Sequence, residues 1–285
     1  MSQVSISIPP LSRGFFIRES DKQLLAIVQQ ASVQGRIVNV MVTGPQGSGK
    51  SELVTTFAAS NKRPLAIIEV GEHSDPRDFF GRMEAENGST RFVKGLFTEA
   101  ITTPRCVVHL QEINRAENDR TLNAIFSVLD DTSNRSIWID EIGEVKVAPG
   151  VTFFATLNQG YEFVGTQHLD AAMSDRFKFK IRLPYPDRET TVKILVTRLG
   201  MDSEKALRLA ALAESIRASE TPFSMRSILA LGELLLSSMP LRNAVTYVVD
   251  IEDKDKLENI LLSLHFTSNE AGTWGGSIPY TYSLL

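Results

Sequence analysis

The sequence predicts an α/β fold: a parallel sheet with helices on both faces, followed by a small helical domain. Three observations carry this. Short apolar runs alternate with helix-length stretches up to about residue 183, a glycine-rich loop follows the first run, and the pattern turns all-helical after Pro184-Tyr185-Pro186. Strands separated by helices are joined by crossovers, which makes them parallel and buries both faces of their sheet.

In chain order, the buried-strand candidates are Ile37–Val42, Leu65–Glu69, Cys106–Leu110, Val151–Thr156 and Phe177–Leu183, each short, apolar and bounded by turn residues or polar loops. Helices are expected between them over Lys50–Ser60, Arg91–Thr102 and Asn118–Leu129. Amphipathic helices are expected after the prolines over Arg188–Leu199, Ser203–Ala218, Ser224–Ser238 and Lys256–Leu264. The implied domains are an N-terminal segment over 1–36, an α/β core over 37–186, a helical lid over 187–267 and an irregular arm over 268–285. That last stretch is rich in Gly, Ser, Thr and Tyr and shows no helical period.

Composition narrows the class. The chain has 285 residues, 42% of them apolar and 22% charged, which suits a folded protein of one large or two unequal domains. A net charge of only −4 and the lack of any Lys/Arg block give no electrostatic footprint for nucleic acid. No apolar stretch reaches the ~20 residues of a membrane span, and the N-terminus lacks the charged-then-apolar pattern of a secretion signal. The single cysteine, Cys106, cannot form an internal disulfide, and its Val-rich surroundings mark it as a small buried hydrophobe. A cytoplasmic location is the expectation.

Chemistry enters at Gly44-Pro45-Gln46-Gly47-Ser48-Gly49-Lys50-Ser51, which fills the pattern G-x-x-x-x-G-K-[ST] directly after an apolar run. Glycines let such a loop curl so that its N–H groups face phosphate oxygens, and the helix that opens at Lys50 adds the positive end of its dipole. Lys50 is expected to reach the β and γ phosphates and Ser51 to ligate Mg²⁺, with Glu52 completing the nucleotide-binding segment. The α/β core is therefore a nucleotide-binding core.

A second constellation reads Val107-Val108-His109-Leu110-Gln111-Glu112-Ile113-Asn114-Arg115-Ala116. A buried strand that ends in two polar residues about sixty positions after the phosphate loop is where a nucleoside triphosphatase places its Walker B pair. The first of the pair holds Mg²⁺ through water and is normally Asp, whereas here it is Gln111. The second, Glu112, orients the attacking water. An amide in place of a carboxylate exchanges a charged hydrogen bond for a neutral one, a loss of about 1 kcal/mol, so Gln111→Asp is expected to strengthen Mg²⁺ retention. His109, with no second ligand at metal spacing, is expected to be a core residue.

The Glu112-Ile113-Asn114-Arg115-Ala116 run resembles the D-E-I-N-R-A segment of MoxR-type AAA+ ATPases, the group that includes the CbbQ and NorQ proteins. Gly81, Phe92 and Gly95-Leu96 before Ala100 resemble that family's insertion in helix 2, and Arg135 to Val147 resembles its hairpin before sensor 1. Phe153 to Asn158 resembles the sensor 1 strand, which implies that Asn158 helps Glu112 position water. Leu169-Asp170 through Arg176-Phe177 resembles the segment with the arginine finger, which implies that Arg176 serves a neighbouring subunit. Ser224-Met225-Arg226 resembles sensor 2, which implies Arg226 on the γ-phosphate. Arg115 and Arg120 are open between trans contacts and surface charges, with surface favoured for Arg120.

The resemblance covers about residues 13 to 230. It implies ATP and Mg²⁺ as cofactors and a homo-oligomeric ring, a hexamer, that remodels a protein client. Two other functions fit the same core: a nucleotide-locked assembly module with negligible turnover, and a nucleic-acid motor or loader, which the near-neutral charge disfavours.

Overall fold

The computed structural model describes residues 6–36, 38–72, 79–86, 88–115, 122–130, 135–158, 171–218, 221 and 223–249. The chain divides into two compact units, Met1–Pro184 and Tyr185–Leu285.

The first unit opens with helix α1 (Glu19–Val33), a regular element within the N-terminal segment. Then follow β1 (Asn39–Gly44), α2 (Lys50–Ser60) and β2 (Leu65–Glu69), a hairpin of β3 (Gly81–Glu86) and β4 (Ser89–Lys94), and α3 (Leu96–Thr102). The remainder is β5 (Val107–Gln111), the short α4 (Phe126–Leu129), a second hairpin of β6 (Ser136–Ile139) and β7 (Gly143–Lys146), β8 (Thr152–Asn158), α5 (Ala171–Asp175) and β9 (Phe179–Arg182).

Five strands form the parallel sheet, in the order β2-β5-β8-β1-β9. Side chains alternate between its faces, as strand geometry requires. Val108, Leu110, Phe153 and Ala155 join a core with Phe79, Phe97 and Ile101. Their neighbours Val107 and Phe154 join Val40, Val42, Leu53 and Phe57 on the other side.

One helix expectation is corrected. Arg91–Thr102 is not a single helix, because its first part lies in β4, paired antiparallel with β3. Thr90-Arg91-Phe92-Val93 carries the β-branched and aromatic residues that favour a pleated surface. The break falls at Gly95, where a Cβ would come within 2.6 Å of the Phe79 carbonyl oxygen, and α3 starts at the next residue. The second hairpin lies within the segment 135–147, with Ile137 and Ile139 buried on one side of β6.

The second unit contains α6 (Arg188–Leu199), α7 (Ser203–Ala218), α8 (Met225–Leu236) and α9 (Leu241–Val248), packed around Ile194, Leu195, Leu209, Leu212, Ile228 and Leu231. Asp187 and Ser224 cap α6 and α8, each accepting from a backbone N–H three residues on. Helix α9 was not anticipated. The expected helix over Lys256–Leu264 and the arm over 268–285 lie outside the described residues, as do Ile37, Ala116, Asn118, Arg120, Leu169 and Asp170. No helix among the described residues is long and apolar enough to cross a membrane.

Arg63 is a hub at the edge where the parallel strands begin. It is 1% exposed, and its guanidinium donates to the carbonyls of Arg105 (2.8 Å) and Gly150 (2.6 Å). It also reaches Gln29 Oε1 at 3.1 Å and Thr152 Oγ1 at 3.0 Å, so it ties α1 to the starts of β5 and β8. Burial, with Arg105 nearby, pushes its pKa down to about 10, which leaves it charged at neutral pH. Replacing it strands several buried acceptors, each costing about 1–3 kcal/mol. Arg63→Met is therefore expected to lower stability by about 3 kcal/mol or more in urea denaturation, and Arg63→Lys, with three donors, to recover part of that loss.

Candidate nucleotide site

The loop from Gly44 to Gly49 connects β1 to α2 at the C-terminal edge of the sheet, the edge where open α/β sheets bind ligands. Gly44 is required by close approach: a Cβ there would sit 2.2 Å from the Leu183 carbonyl oxygen. Gly49 has φ +96 and faces Phe15, whose ring would lie 2.8 Å from an added Cβ. No side chain caps α2, so its first-turn N–H groups stay available at the loop. Ser48 Oγ is buried and has no hydrogen-bond partner. An uncapped helix start and an orphaned buried hydroxyl fit a bound polyphosphate.

Lys50 is 8% exposed, and its Nζ donates to the carbonyl oxygens of Gly44 (3.0 Å) and Pro45 (2.8 Å). Burial pushes its pKa down to about 8, opposed by the charge of Glu112. Ser51 Oγ donates to Gln111 Oε1 at 3.3 Å, joining the start of α2 to the end of β5. Among the described residues no group of three or more His, Cys, Asp or Glu could hold a metal ion by itself. The Ser51 hydroxyl and the Gln111 amide oxygen fit Mg²⁺ as partial ligands, with phosphate oxygens and water supplying the rest. Glu52 lies in the first turn of α2, where a carboxylate complements the helix dipole.

Glu112 follows β5 with φ +52, in the left-handed region that a residue with a side chain rarely adopts. Its N–H donates to Thr156 Oγ1 at 3.4 Å, and the same hydroxyl lies 3.0 Å from His109 Nε2. Asn158 Nδ2 donates to one carboxylate oxygen of Glu112 at 3.0 Å, while Arg115 Nη1 pairs with the other at 2.9 Å. Register explains the first contact. Asn158 closes β8, level with Gly44 on one side, and β5 pairs with β8 on the other. The loop, Gln111, Glu112 and Asn158 thus converge on one edge.

Of the two arginines assigned by resemblance, Arg176 stands at the far end of β1 from the loop. The Arg176 backbone carbonyl accepts from Asn39 Nδ2, at the beginning of β1, roughly 16 Å along the strand from Gly44 at 3.3 Å per residue. Its side chain pairs with Asp130 at 2.7 Å and stacks on Phe126, 4.3 Å from the ring centroid. Arg226 belongs to the second unit, exposed in the first turn of α8.

Several residues around the site were not singled out from sequence. Glu69 ends β2 opposite Gln111 and accepts from its Nε2 at 2.8 Å. The only signal was its place at the end of a strand candidate. Thr156 carries no signal beyond its place in an apolar strand. His109 is in the core as expected, with its pKa pushed down to about 3 by burial, so it stays neutral while meeting Thr156.

Lys50 generates a pH prediction. With a pKa about 8, its ammonium is lost as pH rises through that value, whereas bound phosphate favours the charged form. Nucleotide affinity is expected to fall by up to about tenfold per pH unit above pH 8, with proton uptake on binding. Calorimetry in two buffers of different ionisation enthalpy measures that uptake, and Lys50→Ala should abolish it.

Comparison with known proteins follows the same lines. Residues 39–177 match the family model of the AAA domain, dynein-related subfamily. The candidate chaperone BssE of Thauera aromatica is 40% identical over 264 residues, 92% of this chain and 91% of that one. NorQ of Paracoccus denitrificans (strain Pd 1222) is 29% identical over 205 residues, 71% of this chain and 72% of that one. Among solved structures, the Holliday junction branch migration motor RuvB of Thermotoga maritima aligns with a TM-score of 0.55 at 16% identity, over 88% of this chain and 70% of that one. That likeness speaks for the fold alone. With a phosphate loop, a Glu112–Asn158 pair beside it and a relative matched over nearly its full length, the chain belongs to the MoxR-type group of AAA+ ATPases.

Proposed function

We propose that the protein binds Mg·ATP at the subunit interfaces of a homo-oligomeric ring, a hexamer, and uses binding and hydrolysis to remodel or activate a protein client in the cytoplasm. The observation that carries the reading is the Glu112–Asn158 contact at 3.0 Å on the same sheet edge as the phosphate loop. A carboxylate held at one oxygen by a buried amide is fixed in orientation, which is what activating a water requires. The bound Mg²⁺ supplies charge neutralisation to the phosphates. Backbone N–H groups of loop residues 46–49 and Lys50 would hold the phosphates, Ser51 and Gln111 would face the cation, and Glu112 would accept the proton of the attacking water. Arg115 pairs with the other Glu112 oxygen and steadies the same carboxylate, and each oxygen keeps a lone pair for the proton.

Arg176 lies at the opposite edge from its own chain's loop, which fits a residue offered to the next subunit. Its ion pair with Asp130 and its stacking on Phe126 hold it in place meanwhile. The resemblance of Ser224-Met225-Arg226 to sensor 2 is what assigns Arg226 to the γ-phosphate. The client reading draws on the name of BssE, and nothing in the net charge of −4 favours nucleic acid.

A second reading, a nucleotide-locked scaffold, is favoured by Gln111 in the place of a carboxylate. Turnover assays with and without Mg²⁺, run beside particle mass with and without ATP, separate the two. Glu112→Gln is expected to abolish turnover and spare binding. Arg176→Ala should leave binding by isolated subunits within about twofold of wild type and cut turnover of the assembled ring by about 10³-fold. Normal hydrolysis by assembled Arg176→Ala protein would reassign that arginine to its ion pair with Asp130.

A further inference from the structure

Gln111 breaks the family pattern at the cation, yet a carboxylate stands beside it on the next strand. Glu69 and Gln111 are register partners at the ends of β2 and β5. Gln111 Nε2 donates to Glu69 Oε1 at 2.8 Å, and Gln111 Oε1 accepts from Ser51 Oγ at 3.3 Å. A carboxylate only accepts, so this contact decides which way round the amide lies: the nitrogen faces Glu69 and the oxygen faces Ser51. Without that anchor the amide could present its NH₂ group to the cation side, which would repel a cation. The bond also polarises the amide and places more negative charge on the oxygen aimed at Ser51.

We propose that Glu69 supplies, through Gln111, the negative charge that the missing Walker B carboxylate would have supplied, so that Ser51, Gln111 and Glu69 form one positioning chain for Mg²⁺. The inference rests on the proposed Mg·ATP site. It also changes what Gln111→Asp does. A carboxylate at 111, although one methylene shorter than the glutamine, would stand close to Glu69 across the strand pair with no proton to share, a like-charge contact that destabilises the site. The single exchange then brings no gain, contrary to the expectation from sequence, and the improvement appears only when Glu69 is neutralised as well.

The test is a four-protein cycle: wild type, Glu69→Gln, Gln111→Asp and the exchanged double variant. The affinity for a non-hydrolysable ATP analogue is measured by calorimetry with Mg²⁺ and with chelator, beside a thermal melt. Glu69→Gln is expected to shrink the Mg²⁺-dependent gain in affinity about fivefold to tenfold while leaving the Mg²⁺-free affinity unchanged. Gln111→Asp should show no increase in that gain, and the double variant should restore it to wild-type level or above. The proposal is overturned if Glu69→Gln keeps the full Mg²⁺ effect, or if Gln111→Asp alone raises it as much as the double variant does. Wild-type protein that binds no nucleotide under either condition would instead overturn the proposed function itself.

Discussion

The parallel pairing of β1 with β8 sets Gly44 level with Asn158, and the rest of the site takes its position from that register. A slip by one residue would turn every side chain of the strand to the other face, sending Val40 and Val42 into the wrong core and Asn158 away from Glu112. The register is held from both sides. Phe153 and Phe154 bury on opposite faces of β8, and the Leu183 N–H donates to the Thr43 carbonyl at 2.7 Å beside the point where Gly44 must lack a side chain. At the far edge Arg63 fastens the strand starts, so the sheet is anchored at the end away from the chemistry and shaped by close packing at the end that carries it.

Charge at the site edge is distributed rather than concentrated. Glu69 and Glu112 flank Gln111, one across the strand pair and one next in sequence, while Lys50 and Arg115 face them from α2 and from the turn after β5. A third carboxylate at 111 would stand between two others in a partly buried setting, where like charges interact strongly. Gln111 is therefore more than a lost charge. Its two-ended amide donates to one acidic neighbour and accepts from the hydroxyl of Ser51, which no carboxylate could do without a proton.

Much of this was legible in the sequence because the signals were local. The loop at 44–51 is a contiguous pattern, the buried strands are contiguous apolar runs, and Gln111-Glu112 marks the end of one of them. Boundaries moved by a residue or two where polar ends such as Asn158 extend a strand to the ligand edge. Misreadings came where tertiary pairing decides. The stretch 91–94 becomes β4 because β3 pairs with it, and Phe92 and Val93 suit the strand once that partner is present. Glu69 could not be tied to Gln111 without knowing that β2 and β5 are neighbours, since 42 residues separate them.

The His109–Thr156–Glu112 relay shows the same limit in its strongest form. A glutamate in the left-handed region costs on the order of 1–2 kcal/mol and persists only where its surroundings over-determine it. Here the Thr156 hydroxyl accepts from the Glu112 N–H, while Asn158 and Arg115 hold the carboxylate. His109 Nε2 lies 3.0 Å from that hydroxyl and holds it in place. A histidine that looked like core filling thus supports a strained turn, and the turn aims the carboxylate across the sheet edge toward the loop. The strain sits where the backbone leaves β5, at the residue whose carboxylate Asn158 holds.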